Sequence, residues 1–287
     1  MESTRPALKR RLDFLYRAYT KQYLSTDPLE FLHRYPNPKD KEIVGLIASG
    51  LAYGRVQGIK ASIERVLGVI GGSPFKFVVR FEPLNGKGLF KGFRHRFNTG
   101  DDIACLLYFA RQMIEESGSI GGFFLKGYSG PEKTIKEALE AFGRNALSLD
   151  SGRIYGAKSL PKKAGIRFFF PLPSDGSPCK RLNLYLRWMV RRDSLDFGIW
   201  KEVSPARLII PLDTHIARIS GNIGLTRRKN PDWKMTEEIT EALRRLDPED
   251  PVKYDFALCR LGILDKCPKR SSEEKCALCA IKKICAL

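Results

Sequence analysis

Apolar residues recur at intervals of three and four along most of the chain, which is the spacing of one face of an α-helix. The pattern predicts helices over 8–19, 42–53, 57–70, 102–116, 132–147, 180–191, 214–220, 236–246 and 252–263. Strand patterns are scarce, because only the short runs PFKFVVRF and GIRFFFPLP fit either a strand or a buried helix end. We therefore expect an all-α protein.

Capping residues predict where several of these helices begin. Thr236 precedes a segment with acidic residues in its first turn and arginines in its last, as the helix dipole favours. Asp250, followed by proline, is expected to open the helix that leads toward the C-terminal cysteines. Further upstream, Ser177 is expected to cap a helix with Pro178 as its first residue, so that Lys180 would occupy the third position.

The charge of the chain points to a polyanionic partner. Lys and Arg number 50 against 32 for Asp and Glu, a formal charge of +18 that is spread along the sequence. Such an excess favours nucleic acid over a membrane surface as the partner. The first twenty residues lack the apolar region of a secretory signal, and no apolar run is long enough to cross a bilayer. We expect a monomeric, cytoplasmic and nucleoid-associated protein.

The C-terminal segment carries a cluster of cysteines separated by eight, two and five residues: Cys267, Cys276, Cys279 and Cys285. In a reducing compartment, clustered cysteines are more often metal ligands than disulfide partners. One Cys-x-x-Cys pair with two outlying cysteines favours a 4Fe-4S cluster, whereas structural zinc sites usually use two such pairs. Zinc stays open as the alternative, and the three remaining cysteines are interpreted as isolated thiols.

The segment LIIPLDTHIARI places one carboxylate at the start of a short helix. Pro211 keeps the residue before it extended, so that Asp213 follows as a helix cap. Its side chain is then expected to accept a hydrogen bond from the amide of His215 or Ile216.

LDTHIARI and the cysteine segment, in this order, resemble the endonuclease III and adenine glycosylase branch of the helix-hairpin-helix DNA glycosylases. In that family an aspartate serves as both cap and catalyst, and a helix ending near a glycine, here Gly262 in FALCRLGILDKC, runs into four cysteines. The first cysteine gap is longer here than is usual in the family, which gives a basic loop from Pro268 to Lys275. Within the superfamily the chain most resembles the DUF2400 branch.

This resemblance implies an all-α, two-lobe helix-hairpin-helix DNA glycosylase fold with a C-terminal four-cysteine cluster loop. A helical barrel lobe with a degenerate hairpin would span 29–204. The second lobe would combine 1–28 with 205–287 and carry the iron-sulfur loop over 262–287. The active site is expected in the cleft between the lobes.

The resemblance also assigns the catalytic residues. Asp213 would stabilise the positive charge that develops on the sugar as an N-glycosidic bond breaks. Lys180 would attack C1′ and form the Schiff base that permits strand cleavage. The helix dipole and the neighbouring Arg181 would disfavour an ammonium group there. A solvated lysine at a helix start, or a phosphate contact, is the alternative interpretation of Lys180.

The resemblance implies DNA contacts in three segments. Arg55 and Gln57 lie where the family has a loop that wedges into the duplex, Gly176 and Arg181 lie at the hairpin, and Lys269 and Arg270 lie in the cysteine loop. The hairpin segment LPSDGSPCK has one glycine where the family has two.

The predicted partner is double-stranded DNA with a lesion, and the predicted activity is excision of a damaged base, such as 8-oxoguanine or an oxidised pyrimidine, with AP-lyase cleavage. The alternative is a non-catalytic DNA- or RNA-binding protein that retains the cluster. RHRF at 94–97 is a further basic and aromatic patch.

Overall fold

The computed structural model describes residues 5–130, 134–265, 267–268 and 270–286. The chain forms two compact units, which we call the middle unit, Ser25–Asp175, and the terminal unit, made of the described residues before and after it. The predicted boundaries lay at 28/29 and 204/205, whereas the units divide at 24/25 and 175/176. The hairpin segment LPSDGSPCK is therefore divided between the two units. Residues 176–204 belong to the terminal unit and not to the lobe that was predicted over 29–204.

The described residues are mostly helical, as predicted. The helices are α1 (Arg5–Ala18), α2 (Pro38–Gly50), α3 (Val56–Ile70), α4 (Pro74–Val79), α5 (Pro83–Leu89), α6 (Gly100–Ser117), α7 (Ile120–Leu125), α8 (Lys136–Ser148), α9 (Gly152–Tyr155), α10 (Lys180–Val190), α11 (Thr214–Asn222), α12 (Trp233–Arg244), α13 (Asp255–Ile263) and α14 (Glu273–Ala277). PFKFVVRF forms α4, and GIRFFFPLP begins with the 3₁₀ helix Gly165–Phe168, so neither run is a strand. Within the described residues, every helix falls short of the length or apolar character that a bilayer crossing requires.

Helix α6 forms the centre of the middle unit. Its residues from Asp102 to Ala110 are all buried, and a capping box between Thr99 and Asp102 fixes its first turn. Phenylalanines from neighbouring segments complete this core, and Phe142 packs against both Phe124 and Phe170 with ring centroids 5.7 and 5.9 Å away. The burial of these large rings stabilises the unit.

A short hairpin in the middle unit was not predicted. Strand β1 (Arg94–His95) pairs antiparallel with β2 (Asn98–Thr99), and Arg96 and Phe97 form the loop. Two-residue strands are too short to produce an alternating pattern in the sequence.

The terminal unit is organised around two buried arginines of α10 and the segment after it. Arg187 pairs with Asp196, at 3.2 Å, and with Asp255, the first residue of α13. Arg191 also pairs with Asp196, and it lies 2.8 Å from Asp250. Burial alone would lower the pKa of Arg191, but Asp196 and Asp250 raise it overall, so the guanidinium stays charged.

Helix α10 is buried from Leu182 to Val190. Tyr185 and Trp188 are buried, as expected for core side chains. Arg187 and Arg191 are buried too. Sequence spacing cannot show this, because a buried arginine depends on carboxylates that other segments supply.

Three predicted helix starts are wrong. Helix α10 begins at Lys180, so this lysine is the first helical residue and not the third. The capping position is Cys179, which has a left-handed backbone (φ 46°), while Ser177 Oγ accepts a hydrogen bond from the Cys179 amide. The chain therefore turns once more after Pro178 before the helix begins.

In the two other cases the helix begins at a residue different from the predicted one. Helix α12 begins at Trp233, because Asp232 accepts from the amide of Met235 and Thr236 lies inside the first turns. Helix α13 begins at Asp255, since the Asp250 carboxylate accepts from Arg191 and residues 251–254 form a turn.

Candidate active site and cysteine cavity

Asp213 caps helix α11, as predicted. Its Oδ1 accepts hydrogen bonds from the amides of His215 and Ile216, both at 2.8 Å. Its Oδ2 lies 3.5 Å from Cys259 Sγ, which donates to it. The side chain is half-buried, so one oxygen is fixed by the backbone and the other faces a thiol.

Helix α13 brings Cys259 to this carboxylate because it packs closely on α11. A Cβ at Gly262 would lie 2.7 Å from both Cβ and Nδ1 of His215, closer than such atoms approach in proteins. Only glycine fits without displacing the imidazole. Arg260, beside Cys259, donates to its sulfur at 3.3 Å. The sequence predicts an isolated thiol at Cys259, whereas the structure places it against Asp213. The only sequence signal for this contact is the position of Cys259 three residues before Gly262.

Arg218, in the middle of α11, connects this helix to the cysteine segment. Its Nη2 lies 3.4 Å from His215 Nδ1, which accepts the hydrogen bond, and its guanidinium lies beside the thiol of Cys267. Burial raises the pKa of Cys267, and the nearby Arg218 charge offsets part of that rise. Arg218 was also missed, although LDTHIARI contains it.

The four C-terminal cysteines line one cavity of ≈ 300 Å³, and all of them are half-buried. The pKa of Cys279 is raised by burial and by its proximity to the other three thiols. No disulfide joins cysteines in the described chain. In the same residues, no three His, Cys, Asp or Glu side chains already stand in the geometry of a metal site. The four thiols line the same cavity, but among the described residues no three of them are positioned as ligands of one metal ion.

The cysteine segment is attached to the rest of the terminal unit by a few polar contacts. The Ala286 amide donates to the Asn222 carbonyl at the end of α11, at 2.7 Å. Before the first cysteine, Asp265 accepts from Tyr19 of α1, also at 2.7 Å. Between these points, Ser272 caps the short helix α14.

Lys180 and Gly176 belong to the same unit as Asp213. Lys180 is half-buried at the start of α10. Gly176 is exposed with a left-handed backbone (φ 75°), and its carbonyl accepts from the amide of Trp233. Arg181 is half-buried.

The remaining residues expected to contact DNA are distributed over both units. Arg55 and Gln57 are exposed at the start of α3, in the middle unit. Arg270 is exposed in the cysteine segment of the terminal unit, and Lys269 lies outside the described residues.

A family model described as "Protein of unknown function (DUF2400)" matches residues 27–264. The chain belongs to the DUF2400 family. The match includes Lys180, Asp213 and Cys259 but ends before Cys267, so membership of the DUF2400 family rests on the helices and not on the cysteines. Comparison with curated proteins and with solved structures gave no match.

Proposed function

We propose that this DUF2400 protein is a DNA glycosylase with a helix-hairpin-helix fold, which removes a damaged base and then cleaves the strand as an AP lyase. The observation that carries the proposal is the geometry of Asp213. Two backbone amides hold Oδ1, which leaves Oδ2 for chemistry in a half-buried setting. A carboxylate fixed in this way is preorganised to stabilise a developing positive charge.

In the proposed reaction the bond between C1′ and the base nitrogen breaks, and the base leaves with the bonding electrons. The sugar becomes an oxocarbenium-like cation, which Asp213 Oδ2 stabilises. Water then adds to C1′, and the carboxylate accepts its proton. Cys259 donates to the same oxygen, so its S–H would orient the carboxylate in the resting protein.

Lys180 would supply the lyase step. A neutral amine adds to C1′, the sugar ring opens, and the loss of water or of the base leaves an imine between Nζ and C1′. Abstraction of a C2′ proton then expels the 3′ phosphate by β-elimination. Lys180 and Asp213 are carried by different helices of one unit, α10 and α11.

We propose that the four thiols of the cysteine cavity hold a 4Fe-4S cluster, with zinc as the alternative. Both groups take thiolate ligands, and here four thiols line one cavity and influence one another electrostatically. Cys267, Cys276, Cys279 and Cys285 would hold the group. Bound there, it would supply a structural cross-link for a segment with few buried side chains of its own.

The basic charge of the chain supports a nucleic-acid partner. A net charge of +18 provides the attraction to phosphates that dominates DNA affinity. Arg55, Gln57 and Arg270 are exposed and could reach a duplex, while Gly176 and Arg181 lie just before and within α10. Affinity should therefore fall steeply with salt.

The first test measures base release from a panel of duplexes that each carry one damaged base. Asp213→Asn is the decisive variant, because asparagine also caps helices but carries no charge. We expect it to keep the fold and to lose about 10²- to 10³-fold in excision rate. If the parent protein binds duplexes but releases no base from any lesion, the non-catalytic binding protein is the better description.

The lyase step is tested by trapping with borohydride, which reduces an imine to a stable covalent adduct. Lys180→Gln should abolish the adduct, and the exposed lysine variant Lys201→Gln should not change it. Base release without any adduct would leave a monofunctional glycosylase.

The metal assignment is tested on protein purified without oxygen, by visible absorption and elemental analysis. Iron and sulfide with a broad visible band are expected. A colourless protein that contains zinc would establish the alternative, and Cys276→Ser should reduce whichever metal is present.

A further inference from the structure

Two phenylalanine rings of the middle unit stack on each other at the protein surface. Phe97, in the loop between β1 and β2, is 61% exposed, and Phe168, in a short 3₁₀ helix, is 46% exposed. Their centroids lie 5.3 Å apart and their planes differ by 15°. Carbon atoms in contact are about 3.5–4 Å apart, so the rings are offset and part of each face remains in water. Tyr53 adds a ring parallel to Phe97 within 3°. We call Tyr53, Phe97 and Phe168 the aromatic platform.

Buried His95 fixes the hairpin that carries Phe97. Its Nε2 lies 3.0 Å from the Tyr53 carbonyl, and its Nδ1 lies 2.8 Å from Ser62 Oγ. Because a carbonyl oxygen can only accept, Nε2 carries the proton, and Ser62 donates to Nδ1 in the neutral ring. One side of the hairpin is thereby bonded to the segment that presents Tyr53.

Asn98, which is fully buried, joins the hairpin to the other rings. Its Nδ2 donates to the carbonyl of Gly165, the first residue of the 3₁₀ helix that contains Phe168, at 2.9 Å. Its Oδ1 accepts from the Tyr53 hydroxyl at 2.5 Å. The three segments that carry the aromatic platform are therefore joined by two buried polar side chains, and the rings are preorganised.

The loop of the hairpin is strained in a way that serves this arrangement. Arg96 has a left-handed backbone (φ 53°), which is unfavourable for any residue with a Cβ. Such a conformation persists where surrounding contacts determine it. Its guanidinium carbon lies 5.7 Å from the Phe97 ring centroid, so a positive charge stands beside the platform.

The sequence segments that carry the platform are basic. The stretches 51–63, 91–99 and 156–171, which contain its three rings, include lysines and arginines but no Asp or Glu. Arg94 and Arg96 are exposed on the hairpin itself. Flat rings that can stack, beside cations that can contact phosphate, are complementary to a nucleic-acid strand with unpaired bases.

We propose that the aromatic platform binds unpaired bases of a nucleic-acid strand by stacking on Phe97 and Phe168, while Arg94 and Arg96 contact the phosphates. This activity goes beyond base excision and does not require Asp213. It gives the middle unit a nucleic-acid contact of its own, one that distinguishes unpaired from fully paired strands.

The test measures binding of the full protein to a labelled oligothymidylate and to a perfect duplex of equal length, by fluorescence anisotropy. Replacing both rings, Phe97→Ala with Phe168→Ala, should weaken single-strand binding by at least about tenfold, since loss of one stacking ring costs roughly 5- to 150-fold. Duplex affinity should change by less than about threefold. Equal losses on both probes, or no loss on the single strand, would overturn the proposal.

Matched variants separate stacking from folding and from charge. Leu84→Ala removes another exposed apolar side chain, 73% exposed in α5, and should leave binding unchanged. Phe97→Trp should retain affinity, and its fluorescence should be quenched by the oligonucleotide. Arg94→Gln should reduce the slope of log affinity against log salt by roughly one. If anionic lipid vesicles, and not the oligonucleotide, alter the Trp signal, the platform is a membrane surface and the proposal is wrong.

Discussion

Arg187, Arg191 and their aspartate partners form a buried network at one end of helix α13, and the cysteine cavity lies at the other end of this helix, in the same unit. The two regions differ in whether their polar groups have partners within the protein. Arg187 and Arg191 have carboxylate partners from three neighbouring segments, so both buried cations are paired within the protein. The cavity gathers four groups of one kind, thiols, whose mutual proximity raises the pKa of Cys279 further. A network of opposite charges is complete without a ligand, whereas a cluster of like groups gains most of its stability from what binds it.

The largest effect is expected when the network loses one partner. Asp255→Ala leaves Arg187 buried without its carboxylate on α13, which should cost about 3–5 kcal/mol of unfolding free energy. Urea unfolding measures this loss. The exposed acidic variant Glu202→Ala is the control and should stay within about 0.5 kcal/mol of the parent protein. An Asp255→Ala protein of unchanged stability would mean that Arg187 does not depend on this pairing.

Helix α13 connects the two regions. A substitution at Gly262, where α13 contacts His215 of α11, tests whether this packing affects the candidate active site. Gly262→Val would force the Cβ against His215 and should cost about 1–3 kcal/mol. The shift would also separate Cys259 from Asp213, so base release should fall by more than stability alone explains. Gly221→Ala, at a helical position with open space around its Cβ, is the control. If base release by Gly262→Val stays at the parent rate in protein that is fully folded, close packing of α11 on α13 is not needed for activity.

These residues show which features of the structure can be predicted from the sequence. The helical periodicity located α10, α11 and α13, and local capping rules located Asp213, because both depend on neighbours within a few residues. The pairing of Arg187 with Asp255 and the contact of Cys259 with Asp213 span 68 and 46 residues. No local pattern encodes such contacts. The start of α10 was wrong because the left-handed Cys179 adds a turn that residue preferences do not predict.

Protonation of Asp193 at low pH should also weaken the arginine network, with a smaller effect on stability than the substitutions above. Burial alone would raise the pKa of Asp193, but Arg191 and the amides of Leu195 and Asp196 lower it overall. A lowered pKa means that this carboxylate contributes stability above its ordinary value of 3.8, and that the contribution is lost as pH falls below it. Stability measured by urea unfolding should therefore decline below about pH 4. Asp193→Asn should reduce that decline, and an identical pH profile in the variant would contradict the assignment.

The smallest effect on global stability is expected at the cysteine cavity, because Ile281 is the only buried residue among the described positions 270–286. Cys276→Ser should lower the unfolding free energy of the helical core by less than about 1 kcal/mol, since the arginine network remains complete. The segment itself should open, and trypsin should then cleave after Lys275, Lys282 or Lys283 much faster than in the parent. Ser271→Ala, in the same segment, should leave the cleavage rate unchanged. If Cys276→Ser unfolds the whole unit instead, the two regions are one cooperative structure, and the stability of the network depends on what the thiols bind.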